Sequence, residues 1–215
     1  MIRIFDLLDL GNVYAVSMEY CPGQDLGHLL AERVKLPARD ALNVAMQACA
    51  GLAAAHAEEV IHRDIKPPNI LIGPDHTVKI VDFGLACAQQ LAGSRLTKSG
   101  LLVGTPEYMA PELISGDSVD HRVDIYSLGI VMYEMLSGTK PYSASNVAKL
   151  LFQHLEGEAV PISQLLPDLP ASVATVVHAA MARDAADRPQ SSLELLTMLE
   201  TELAALPTLE SEPDA

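Results

Sequence analysis

Tryptophan is absent from this 215-residue chain and aromatic residues make up only 4% of it, so any core has to be assembled mainly from Leu, Val, Ile and Ala. Cysteine is scarce as well: Cys21, Cys49 and Cys87 show neither a Cys-x-x-Cys spacing nor a pairing pattern, which argues against zinc or disulfide scaffolding and fits a reducing cytoplasm. Basic residues are few, 14 against 28 acidic ones, giving a formal net charge of -14. The clustered Lys and Arg demanded by nucleic acid or an anionic membrane surface are not encoded. No apolar run reaches the roughly 18 to 20 residues of a membrane span, and the first residues lack a cleavable signal pattern, so a soluble protein is expected. No Gly-x-Gly-x-x-Gly occurs anywhere, and the only basic residue ahead of Met18 is Arg3.

What is present is a globular composition, 49% hydrophobic with a mean hydropathy of +0.21. A chain of this length buries roughly two-thirds to three-quarters of its unfolded surface, enough for one sizeable core. Ile2 to Tyr20 reads as two strands about the turn-like Asp9-Leu10-Gly11-Asn12, a ribbon too small to be stable alone and expected to be the least stable part of the chain. Pro37 opens a helix whose Leu42, Ala45, Cys49 and Leu52 share one face. Ile70–Ile72 and Val78–Val81 flank a Gly73-Pro74-Asp75-His76 turn and read as a hairpin. Asp124 to Ser137 is apolar on nearly every face, as a helix in the middle of a core would be, and helices follow around 147–154, 173–181 and 193–203. The last begins at a capping-box pattern, Ser191-Ser192-Leu193-Glu194. Phe83 to Pro111 has little periodicity and reads as a loop, and residues 207–215 read as a disordered acidic tail.

Three segments carry chemistry: His62-Arg63-Asp64-Ile65-Lys66-Pro67-Pro68-Asn69, then Asp82-Phe83-Gly84, then Gly104-Thr105-Pro106-Glu107-Tyr108-Met109-Ala110-Pro111-Glu112. In this order they resemble the catalytic loop, metal-binding loop and post-activation-loop signature of protein kinases. Lys66 in Asp-Ile-Lys-Pro and Thr105 in Gly-Thr-Pro-Glu-Tyr resemble the serine/threonine rather than the tyrosine kinases, and residues 116–129 have the character of bacterial members.

The resemblance implies an α+β, protein-kinase-like fold: strands and hinge over residues 1–20, then a mainly helical C-lobe over 21–206. It further implies ATP and Mg2+ as cofactors and a protein as substrate. Asp64 would orient the acceptor hydroxyl and take its proton, Lys66 would reach the transferred phosphate, and Asn69 and Asp82 would ligate magnesium. Glu19 and Cys21 would bind adenine through backbone groups, with Met18 as gatekeeper and Leu71 beneath the ring, although core packing equally accounts for Met18 and Leu71. Arg63 would dock a phosphorylated loop, with Thr97 and Ser99 ahead of Ser94 as acceptors and Thr105 nearby. Asp124 would hold the catalytic loop, and Glu112 would pair with Arg188. The match fails before Met18, where the Gly-rich loop, the strand Lys and the helix Glu have no counterpart. Three readings follow from that gap: a kinase cut short; a chain completed by a small lobe from another segment; or a non-catalytic binding module docking a partner on an exposed apolar face.

Overall fold

The structure, a computed structural model, describes residues 2–11, 14–83 and 105–207. Cys87, Ser94, Thr97, Ser99, Gly84, Gly104 and the tail beyond Pro207 lie outside these residues.

Strands β1 (Ile4–Asp9) and β2 (Tyr14–Met18) form an antiparallel ribbon in which Leu8 faces Ala15 and Ile4 faces Met18, with an irregularity between Ile4 and Asp6. Its exposed apolar side chains include Phe5, Leu8 and Leu10. A second, three-stranded sheet runs in the order β3 (Gln24–Asp25), β4 (Ile70–Ile72), β5 (Val78–Ile80). The predicted hairpin is β4–β5, with Ile70 opposite Ile80 and Leu71 opposite Lys79. Ile70, Val78 and Ile80 are buried in the core.

The helical body begins with α1 (Leu26–Arg33), capped by Asp25, whose Oδ1 accepts the His28 N–H at 3.0 Å. This helix escaped the periodicity reading because it spans only eight residues and buries only Leu26 and Leu30. Next comes α2 (Ala38–Ala57), which buries Ala41, Leu42, Ala45, Cys49 and Leu52 along the predicted face. The His62–Asn69 segment follows, then α3 (Pro111–Ser115) and α4 (Arg122–Ser137). In α4 thirteen of sixteen residues are buried, which is why its sequence shows almost no polar face.

The outer layer is α5 (Val147–Glu156), α6 (Ile162–Leu165), α7 (Ala171–Ala180) and α8 (Ser192–Ala205). Helix α4 packs on α2 and α7, and α8 packs along α2. A glycine allows the α4–α7 approach: a Cβ on Gly129 would stand 2.9 Å from Met181 Cγ and 3.0 Å from the Ala180 backbone. The α8 cap differs from the expected box in one respect. Ser191 Oγ accepts the Glu194 N–H at 3.0 Å, but the Glu194 carboxylate reaches past Ser191 to the Gln190 N–H at 2.6 Å. The expectation of a mainly helical body with a short N-terminal strand pair is met.

Candidate active site

The His62–Asn69 segment is suspended from one carboxylate. Asp124, fully buried in the first turn of α4, accepts the Arg63 N–H on Oδ1 at 2.7 Å and the His62 N–H on Oδ2 at 2.9 Å. Oδ2 also accepts His56 Nε2–H at 2.8 Å, and the Ser192 hydroxyl donates to His56 Nδ1 at 3.2 Å. A buried carboxylate has to be matched by donors, and three donors meet that need here. Arg63 itself takes up a left-handed backbone, φ 64°, as does Asp82 at φ 63°. Non-glycine residues hold that conformation only where their surroundings over-determine it, and two of them bracket this site.

His62 is a structural link. Its Nε2–H donates to the Val81 carbonyl at 2.8 Å, its Nδ1 accepts the Asp64 N–H at 3.2 Å, and its ring meets Phe83 edge-on at 4.6 Å. These contacts fix the tautomer and tie the His62–Asn69 segment to the turn that carries Asp82. The Val81 N–H, in turn, donates to the Asn69 carbonyl at 3.0 Å.

Around Asp64 three side chains converge. Lys66 Nζ lies 2.7 Å from Asp64 Oδ2 and donates to Thr105 Oγ1 at 2.8 Å; the Thr105 hydroxyl stands 3.3 Å from Asp64 Oδ1. Asn69 Nδ2 donates to the Asp64 carbonyl at 2.8 Å and to Asp64 Oδ2 at 3.2 Å, leaving its amide oxygen to accept from elsewhere. Asp64 and Lys66 are each partly open to solvent, while Asn69 is buried and Asp82 exposed. A carboxylate, an ammonium and a hydroxyl in one partly open triangle can accept a proton and neutralise an anion side by side.

The remaining sequence-derived residues fall in two places. The residues expected to form the hinge lie at and just after the end of β2. Met18 is exposed, Cys21 is half-buried, and the Glu19 N–H donates to the Arg3 carbonyl at 2.8 Å. Leu71, in the centre of β4, is half-buried. Glu112 and Arg188 form the expected pair, bidentate at 2.7 and 2.8 Å, which fastens the segment after Thr105 to the loop before α8. The sequence reading missed His56 and Ser192; the signal lies in a half-buried His at the end of an amphipathic helix, but 136 residues separate it from its serine.

The protein kinase domain model matches residues 1–199. The chain belongs to the protein kinase domain family. Among similar proteins of this family are serine/threonine-protein kinase PknB of Mycobacterium tuberculosis, 36% identical over 185 residues, and a Clostridium acetobutylicum protein named as a probable serine/threonine-protein kinase, 35% identical over 199 residues. The matches cover 86% and 93% of this chain, and the chain spans about 30% of the length of each. PknB of Mycolicibacterium smegmatis is 34% identical over 185 residues. Kinase domains of this family work with ATP and divalent metal ions. Among the described residues no helix is long and apolar enough to cross a membrane.

Proposed function

We propose that this chain transfers the γ-phosphoryl group of ATP to serine or threonine hydroxyls of a protein substrate, with Mg2+ as the metal. The observation that carries the reading is the convergence of Lys66 and Thr105 on the Asp64 carboxylate, with Asn69 donating to the same residue. Asp64 would orient the acceptor hydroxyl and take its proton. Lys66, freed from Asp64 and Thr105 as a phosphate enters, would neutralise the moving group.

Asn69 Oδ1 and the Asp82 carboxylate would hold the cation. Both are hard oxygen donors, and among the described residues no three His, Cys, Asp or Glu stand together as a self-sufficient metal site. Such a sparse donor set suits Mg2+, which is held by one or two protein oxygens together with substrate phosphates. When bound, that ion would offset phosphate charge.

The adenine would be read by the Glu19 carbonyl and the Cys21 N–H, between Met18 and Leu71. Residues 1–20 are then the strand and hinge segment, 21–206 the large lobe and 207–215 its tail. Arg63 would meet a phosphate on Thr97 or Ser99. The exposed Phe5, Leu8 and Leu10 support a second reading, in which this ribbon docks a partner.

The test is phosphoamino-acid analysis of a generic protein substrate after incubation with labelled ATP, with and without Mg2+. Phosphoserine or phosphothreonine formed only with the metal is expected. Phosphotyrosine as the product would overturn the acceptor assignment.

A further inference from the structure

One ion pair joins the hinge to the three-stranded sheet, and the roles assigned above do not use it. Lys79 lies at the centre of β5, opposite Leu71 in β4, which is itself opposite Asp25 in β3. Residues opposite one another in an antiparallel ladder share a face, so Lys79 stands on the Leu71 face while its neighbours Val78 and Ile80 enter the core. Lys79 Nζ donates to Glu19 Oε1. The other Glu19 oxygen accepts the Arg3 N–H at 3.3 Å, the Glu19 N–H returns to the Arg3 carbonyl, and the Ile2 N–H reaches Ile80 at 3.3 Å. Lys79, followed by the Arg3 N–H, holds the Glu19 carboxyl below the usual carboxylate range, and Glu19 raises the Lys79 ammonium in return. Phe5, Leu8 and Leu10 in the segment these ties secure stand at 60%, 45% and 63% exposure, so these three side chains add little apolar burial to its attachment.

We propose that Lys79 is a positioning residue for the purine: its ion pair with Glu19 fixes the hinge so that the Glu19 carbonyl and the Cys21 N–H present a set edge to the adenine ring beside Leu71. This rests on the nucleotide-site reading given above. Lys79 touches no reacting atom; it acts through Glu19. Because the pair is solvent-accessible, its loss weakens nucleotide binding by about three- to fivefold rather than abolishing it.

The test combines calorimetric titration with Mg-ADP and amide hydrogen exchange on the whole chain, for wild type, Lys79→Met, Glu19→Gln and the swapped pair Glu19→Lys/Lys79→Glu. Each single variant is expected to bind ADP about three- to fivefold more weakly and to exchange the Glu19 and Ile2 amides faster, with both effects reversed in the swap. Raising the salt should weaken ADP binding by a larger factor in wild type than in Lys79→Met, because only wild type also loses the screened Lys79–Glu19 pair. Unchanged ADP affinity in Lys79→Met, or no recovery in the swap, overturns the proposal. Wild type that binds no ADP removes the nucleotide reading and this role with it. The exchange data then distinguish that failure from absence of the latch, since Glu19 would still respond to Lys79→Met.

Discussion

Replacing Arg188 with Met should remove most of the stability of this chain. All five guanidinium N–H groups are engaged: Nε with the Ala182 carbonyl at 2.7 Å, Nη1 with Glu112 and the Arg122 carbonyl, and Nη2 with Glu112 and the Arg183 carbonyl. The guanidinium also lies 4.9 Å from the Tyr126 ring centroid. Its side chain is wholly buried and that of Glu112 is 13% exposed, so the variant strands a carboxylate in a dry site. Breaking such a pair by removing one partner costs about 3–5 kcal/mol. Each orphaned carbonyl adds up to about 1–3 kcal/mol unless water reaches it. Against a typical total of about 5–15 kcal/mol, that sum leaves the fold marginal or lost.

Urea denaturation followed by circular dichroism reads the loss, and a cycle with Glu112→Gln apportions it. With the charge on residue 112 removed, Arg188→Met should cost about 1–3 kcal/mol less than it does in wild type. A loss below about 1 kcal/mol for Arg188→Met, or two effects that simply add, would refute the reasoning.

Three further outcomes are expected. Burial pushes the His154 imidazole down to about 4 against the opposing pull of Glu107, so it is neutral in the fold and protonates only after unfolding between about pH 6.5 and 4. Stability should therefore fall as the pH drops through that window, by about 3 kcal/mol in all, and His154→Gln should flatten the slope; equal slopes in the two proteins would contradict this. Gly129→Ala gains helix propensity but drives a Cβ against the Ala180 backbone, and should lower stability by about 1–3 kcal/mol in a thermal melt, whereas a stabilised variant would refute the close packing. Amides of β1 and β2 should exchange well before those of α4, and comparable protection would show that the ribbon has a support beyond the ties described.

The sequence exposed much of this, for reasons that differ by element. Helices α2 and α4 were legible because burial dictates their residues on one face and on nearly all faces, respectively. Asp124 and the Glu112–Arg188 pair came from the family resemblance, and the structure forms both sets of contacts. Helix α1 was not legible, since eight residues with two buried positions give too little periodic signal. Nor was the His56–Ser192 contact, which depends on the α2–α8 packing and has no local trace. Thr105 entered as a regulatory candidate, yet its hydroxyl sits between Lys66 and Asp64, a placement set by the chain's return after residue 104 rather than by any spacing within the motif. The Lys79–Glu19 pair has no local trace in the sequence, because the two residues are 60 positions apart.

The most direct measurement is intact-mass analysis of the purified chain and a generic Ser/Thr protein substrate after incubation with Mg-ATP, comparing wild type with Asp64→Asn. That substitution keeps the size of the side chain and its contact with Asn69 while removing the proton acceptor. Phosphoryl groups gained with wild type, and a loss of about 10²-fold or more in rate with Asp64→Asn, are expected. Transfer at equal rates, or none from wild type, would contradict this.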